Sequence, residues 1–341
     1  MVKPHHERTS KAPLFLMILA VLLASCTASP EMMVRNPIKA GILYSDDGGR
    51  LTKQLDEIFA QCGASASDGT HTAKLAQQNS SISAPVLALI VPHANFAFSG
   101  LAAARAFRTL ATADTKRVFI LGPDHSGKLH GAGLSAAHYF ATPLGNVPVD
   151  TDAVNQLMGC RLFSVNNNAH KQEYSIEMQL PFVCHQFPDV KIVPILIGKL
   201  SASDDAGIIA DALVRLLRPG DVVIVSSDLT HYGQRYHFQP TGTDVIQRLD
   251  RRAYEFIQHL DTNGFFAFRN QTGDPICGCE AIGVLMRMLP SGTQVSLLDY
   301  YTSQDVIDAN PRLSLTAHPN FCVSYAAVAF SAPSWATQNR R

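Results

Sequence analysis

Short runs of consecutive apolar, largely β-branched residues alternate along this chain with longer stretches in which apolar positions recur three and four residues apart. Runs of the first kind occupy residues 86–91, 117–121, 191–197, 221–226, 295–298 and 323–330. With little polar alternation, they predict strands buried on both faces. The second kind covers residues 100–110, 151–158, 175–187, 203–217, 243–260 and 280–288, the spacing of helices with one apolar stripe. Ser203 ahead of Asp204 and Asp205 reads as an N-cap, and Pro219-Gly220 as a stop. Strands alternating with helices predict an α/β fold: a single domain with a layered mixed β-sheet core flanked by helices. Residues 64–83, rich in Ser, Ala, Gln and Thr without strand pattern, read as a surface insertion or linker.

The first residues follow a different logic. Lys3, Arg8 and Lys11 precede an apolar run over 12–24, shorter than the roughly 20 residues a membrane-spanning helix needs. The run ends in Leu23-Ala24-Ser25-Cys26, which looks like the lipobox of bacterial lipoproteins. This predicts a signal peptide over 1–25, lipidation at Cys26, a tether over 26–37, a domain over 38–332 and a tail over 333–341. The product would be a lipoprotein held at a membrane by its acyl chains, palmitate among them, and facing the periplasm or the exterior. Thr27, where inner-membrane retention in enteric bacteria uses Asp, points to the outer membrane.

Composition narrows the partners. The 341 residues carry 28 basic and 28 acidic side chains, with no basic block, which argues against a nucleic-acid protein and leaves a small molecule or a peptide. Loss of residues 1–25 would leave 25 basic and 27 acidic groups. Cys62, Cys160, Cys184, Cys277, Cys279 and Cys322 would remain, in a compartment that permits disulfides; their spacing fixes no pairing and contains no C-x-x-C.

Three histidines share one structural place, directly after a predicted strand: Val91-Pro92-His93, Gly122-Pro123-Asp124-His125 and Ser227-Asp228-Leu229-Thr230-His231. The carboxyl ends of strands in open α/β sheets form the ligand crevice, so residues distant in sequence can converge there. Asp124 and Asp228 are expected to support the histidines from behind, Asp228 by hydrogen-bonding a ring nitrogen. Glu173 and Glu177 would share a face if a helix has begun by then, although acidic residues at a helix start are also simply favoured by its dipole. Pro275-Ile276-Cys277-Gly278-Cys279 precedes an apolar helix, where a thiol is acidified; a buried, inert cysteine is the other reading.

These segments together resemble the MEMO family, called AmmeMemoRadiSam system protein B in bacteria. The matching stretches include Val91-Pro92-His93-Ala94, Leu121-Gly122-Pro123-Asp124-His125, residues 173–182, Ser226-Ser227-Asp228-Leu229-Thr230-His231-Tyr232-Gly233, Cys277-Gly278 and Tyr325-Ala326-Ala327, in family order. The resemblance implies a fold like that of class III extradiol ring-cleaving dioxygenases, with His93, His125 and Cys277 as metal ligands. It also matches His231 to the histidine that acts as acid and base in those dioxygenases, and Glu173 is expected to assist it in catalysis. A thiolate in place of the dioxygenase carboxylate favours a softer metal, so copper, zinc or iron is expected and ring cleavage is not assumed. Two positions depart from the family pattern: Asn95-Phe96 stands where Gly-Tyr is usual, and Tyr174 where a histidine is usual.

Other chemistries fare worse. Residues 122–128 have P-loop spacing, but Leu129 follows where a hydroxyl should hold magnesium, so no nucleotide cofactor is expected. Two classes remain: redox or other metal-dependent catalysis on a small substrate, or a non-enzymatic protein of the cell envelope that binds metal, peptide or partner. The intact His231 favours the first, because a metal store has little use for a histidine that is not a ligand.

Overall fold

The computed structural model describes residues 1–2, 32–62, 82–110, 114–201, 204–242, 244–315 and 321–335. Cys26 and nearly all of the 64–83 insertion lie outside the described residues. Residues Met32–Arg341 group as one compact unit. Its strands are β1 (Val34–Arg35), β2 (Val86–Val91), β3 (Arg117–Pro123), β4 (Ala132–Leu134), β5 (Tyr139–Thr142), β6 (Gly145–Pro148), β7 (Phe163–Val165), β8 (Lys191–Ile197), β9 (Asp221–Ser226), β10 (His231–Gly233), β11 (Gln294–Thr302) and β12 (Phe321–Ser331). Among the described residues nine of these form one mixed sheet in the order β10-β12-β2-β9-β3-β8-β4-β7, with β11 also paired to β12. A second, three-stranded sheet joins β1, β5 and β6. The fold is therefore the expected mixed α/β single domain.

The centre of the large sheet is parallel: β2 pairs β9, and β3 pairs both β9 and β8. Every residue of β3 is buried, which requires cover on both faces and explains a strand without polar alternation. Helices Phe96–Arg108, Thr151–Leu157, Asp205–Val214, Val245–Gln258 and Cys279–Met288 lie within or close to the stretches predicted for them. Among the described residues no helix is long and apolar enough to cross a membrane.

Several expectations give way. The predicted helix over 175–187 is broken into a 3-10 turn, Glu177–Gln179, and a helix, Leu180–Gln186, whose start is fixed by Pro181. Glu173 is extended, at the end of the preceding helix Asn167–Gln172, so Glu173 and Glu177 do not share a helix face. Glu177 is no solvated acid either. It is fully buried, pairs with Arg35 at 2.5 Å and accepts from the backbone N–H of Ile38 and Lys39 and from the Tyr44 hydroxyl.

Those bonds also shorten the predicted tether, because Arg35 is buried and Val34–Arg35 pair with β5. Ser203 lies outside the described residues; the helix there starts after Asp204, which makes no side-chain cap. Helices Gly48–Gln61 and Thr262–Thr272 were not anticipated. The cysteines at 62, 160, 184, 277, 279 and 322 are all free thiols.

Candidate metal centre

Strands β2, β9 and β3 are neighbours, and each leads at its carboxyl end into a chemically active residue: His93, then Asp228 and His231, then His125. Adjacent strands lie about 4.8 Å apart, so the outer two of the three ends are close enough for their side chains to meet over the middle one. Cys277 arrives from outside the sheet, on the loop before helix Cys279–Met288. That loop presses on the turn after β9: the Gly278 N–H donates to Ser227 Oγ at 3.0 Å, and a Cβ at Gly278 would sit 2.5 Å from the Ser227 Cβ. Any other residue there would force this loop or the turn after β9 to shift, which ties this glycine to the packing of the two segments.

His93, His125 and Cys277 each offer one ligand atom, and these atoms lie within 4.8 Å of one another. His93 Nε2 is 3.3 Å from the Cys277 Sγ, close to the roughly 3.5 Å edge of a tetrahedral site with zinc-like bond lengths. The group could therefore hold a metal ion.

What lies behind each ligand decides which atom faces inward. Ser226 Oγ donates its one proton to the Ser175 carbonyl at 2.7 Å and accepts from Gln179 Nε2 at 2.8 Å. It can therefore only accept from His93 Nδ1, 2.9 Å away, which keeps that proton on Nδ1. His125 Nδ1 lies 2.9 and 3.0 Å from the two Glu173 oxygens, the carboxylate–histidine arrangement that orients a ligating ring. Both rings are thus held from the Nδ1 side. The Asp228 N–H donates to the Cys277 Sγ at 3.2 Å.

The electrostatics follow from this packing. Burial alone would raise the Cys277 thiol, but the His93 charge and hydrogen bonds from His125 and His93 hold it well below its ordinary value. Burial would likewise lower His125, yet hydrogen bonds and charge from Cys277 and Glu173 raise it to about 10. His93 rises for the same reason, against its burial, through Cys277 and Asp228. In the metal-free pocket the thiol is thus pushed toward its ionised form and the two rings toward theirs, and a cation entering it would compete with those protons.

His231 stands apart from the three. Its Nδ1 lies 2.9 Å from the Leu229 carbonyl and 3.0 Å from that of Pro275. Carbonyls only accept, so Nδ1 keeps its proton and Nε2, 4.0 Å from Asp228 Oδ2, is the atom that can exchange one. Asp228 does not hydrogen-bond a ring nitrogen as expected among the described residues; it accepts from the His93 backbone N–H at 2.9 Å, and so touches the surroundings of three functional side chains.

Glu173 and Asp124 both sit behind His125. Glu173 is buried and accepts from the backbone N–H groups of His125, Tyr174 and Ser175 as well as from the His125 ring. Burial would raise its pKa, but these donors, His125 first, lower it to about 2. A carboxylate with so many donors is well placed to orient the His125 ring, and taking up a proton would cost it some of them. Asp124 touches no ring; it accepts from the N–H groups of Ser126, Lys128 and Leu129 and shapes the turn that carries His125. Tyr174, at the position that departs from the family, stacks on His125 with centroids 5.0 Å apart and planes 4° from parallel. Lys39 Nζ lies 4.9 Å from the Tyr174 ring centroid.

Sequence reasoning passed over Gln179, Tyr236 and Lys39. Gln179 sits inside a motif already noted, and its amide spans from Ser226 to the Pro92 carbonyl. Tyr236, edge-on to His231 at 4.8 Å, had no signal of its own in the sequence.

The fold and site define a mixed α/β protein in which two histidines at parallel strand ends and a cysteine from a neighbouring loop form a group that could hold a metal ion. The family model described as Memo-like protein matches residues 35–318, and the chain belongs to that family. It is 30% identical over 269 residues to Protein MEMO1 of Xenopus laevis, covering 76% of this chain and 85% of that protein. Against Protein MEMO1 of Homo sapiens the identity is 28% over 272 residues, covering 76% and 86%. The MEMO1 family protein TV1383 of Thermoplasma volcanium is 29% identical over 280 residues, covering 80% of this chain and 93% of its own length.

Proposed function

We propose that this protein binds a single transition metal through His93, His125 and Cys277 and uses it for redox or other metal-dependent chemistry on a small substrate, with His231 carrying the proton. One observation supports this above the others. Hydrogen bonds fix both ligand rings from behind, while His231, which is not among the three, keeps its exchangeable Nε2 beside Asp228. A simple metal store needs the first feature and not the second.

The donor set favours copper, zinc or iron, in that thiolate and imidazole suit softer ions than carboxylates do. When bound, the ion would supply Lewis acidity or an electron-transfer centre. The chain's own contributions are separate from that. Glu173 and Ser226 hold the ligand rings, Asp228 places the thiolate, and His231 Nε2 takes or returns a proton. Lys39 and Tyr174 give the pocket surroundings a cationic and an aromatic element. The N-terminal sequence supports a place for this chemistry on the periplasmic or outer face of a bacterial envelope, through lipid on Cys26. In a second reading the pocket binds metal without catalysis and a partner docks nearby.

Metal analysis separates the readings at their root. The protein lacking residues 1–26, purified without chelator or a histidine-rich tag, is expected to hold about one equivalent of metal, lost in both His93→Ala and Cys277→Ala. Wild-type protein that, reduced and offered each metal in turn, retains no more than its variants would remove the proposal.

A further inference from the structure

The two loops that carry His231 and Cys277 meet at a pair of buried carboxyl groups to which none of the roles above assigns a purpose. Asp250, on helix Val245–Gln258, is 2% exposed, and Asp274, three residues before Cys277, is 1% exposed. Thr230, the neighbour of His231, lies between them, its Oγ1 2.7 Å from Asp250 Oδ1 and 3.0 Å from Asp274 Oδ2.

A threonine hydroxyl has one proton and cannot donate to both. If both aspartates were ionised, one carboxylate oxygen would face a lone pair and a second negative charge in a dry site. Among the described residues no Lys, Arg or His is ion-paired with either carboxyl group. The proton count therefore balances only if one of the two is a neutral acid that donates to Thr230.

The partners say which. Asp250 accepts from the Thr230 N–H at 3.1 Å and the Tyr300 hydroxyl at 2.7 Å besides Thr230 Oγ1, as suits a carboxylate. Among the described residues the Asp274 carboxyl has only Thr230 as a partner, and its Oδ1 is buried without one, a vacancy far cheaper for a neutral acid than for an anion. We propose that Asp274 is held protonated, in a directed chain from Asp274 through the Thr230 hydroxyl to Asp250, and that this clasp positions the loops bearing His231 and Cys277. The proposal does not depend on what the pocket binds.

The surroundings agree. Burial, and then the Asp250 charge, raise Asp274 to about 7 against the Thr230 hydrogen bond. Burial raises Asp250 too, opposed by Ser324 of β12, Tyr300 of β11 and Thr230. Tyr300 stays a neutral donor, since burial and Asp250 push it up. Cys279, on the helix after the loop, is neutral because burial and Glu280 raise it, with Arg269 acting the other way. His231 shows the clasp only its Nδ1 side, through Pro275. The same two loops are also stitched by that Nδ1 contact and by Gly278 to Ser227, neither of which contains a carboxyl group.

The sign of the pH effect follows. A carboxyl whose folded-state pKa is raised contributes stability that is full below its unfolded value and is lost as pH rises through about 7. The full chain, wild type beside Asp274→Asn and Asp250→Asn, is followed by thermal unfolding from about pH 5.5 to 8.5. Asparagine at 274 keeps a donor toward Thr230 and cannot ionise. Its unfolding temperature is expected to be no higher than that of wild type at the acid end and several degrees higher at the alkaline end. Asp250→Asn, which loses the carboxylate that three donors address, is expected to be weaker throughout.

Infrared spectra near pH 6 should show the carbonyl stretch of a protonated carboxyl that disappears in Asp274→Asn. Hydrogen exchange at the alkaline end should be faster over 227–231 and 274–278 in wild type than in Asp274→Asn. No such infrared band, a band that survives Asp274→Asn, or a penalty for that variant equal at both ends of the range overturns the proton assignment. Equal exchange in the two proteins overturns the positioning role.

Discussion

The two ends of the same parallel strands are both charged and both buried, yet they are built to opposite purposes. At the amino ends Arg117 of β3 reaches Asp221 of β9 at 2.5 Å, Asp150 at 2.9 Å and the Leu216 carbonyl at 2.7 Å. There one guanidinium bridges two carboxylates, and hydrogen bonding to Asp221 raises it further from neutrality. At the carboxyl ends the charged groups are His93, His125 and Cys277, whose ligand atoms crowd one another. The first end is finished. The second holds its protons only until something replaces them.

The comparison teaches that burial of a charge does not by itself mark a site; the direction in which its partners leave the lone pairs does. His170 makes the same point within one residue type. It is 2% exposed, as His93 is. Burial lowers it to about 4, and its Nε2 meets the Gly133 carbonyl, so it is a neutral donor inside the core.

If the two ends are independent, they can be broken separately. The largest effect is expected from Arg117→Met, which strands Asp221 in the interior: about 3–5 kcal/mol of stability lost in urea unfolding, with metal retention unchanged. A parallel loss of metal would tie the two ends together and weaken the contrast. Glu173→Gln should act the other way, lowering metal affinity about 10–100-fold in chelator competition while costing far less stability. Unchanged affinity would mean that the carboxylate does not set the His125 ring.

The smallest and sharpest effect concerns pH. In metal-free protein, alkylation of Cys277 should stay nearly flat as pH falls toward 6, because a depressed thiol remains ionised until pH reaches its own pKa. An ordinary thiol loses about tenfold in rate per unit over that range. Cys184, which burial raises, should stay slow throughout and serve as the internal control.

The sequence carried the strand-end histidines plainly, because their position depends on a local feature, an apolar run followed by turn residues. His93, His125 and His231 needed no knowledge of distant contacts to be singled out. The reading failed where partners come from afar. Glu177 looked like a surface acid at a helix start, and only Arg35, from the other side of the fold, makes it a core anchor. Glu173 carries the expectation of assisting catalysis, and its tie to the ring and backbone of His125, distant along the chain, is not visible in any local pattern. The clasp beneath His231 was wholly illegible: Asp250, Asp274 and Thr230 come from three separate segments, and nothing local in any of them announces the others.

The position of β12 has a consequence for how the molecule comes into being. β2, the strand that leads to His93, is paired with β9 on one side and with β12 on the other, and β12 is the final strand of the described chain. During synthesis from the amino end, β2 waits with one row of N–H and C=O groups bare until nearly everything else has emerged. Closing so long a loop is slow, and a bare edge invites pairing with other chains in the meantime. A nascent or shortened chain that stops before Phe321 would hold most of the pocket's residues and still leave the strand beneath His93 open along one edge. Competence of the pocket is thus acquired at the end of synthesis, not piece by piece.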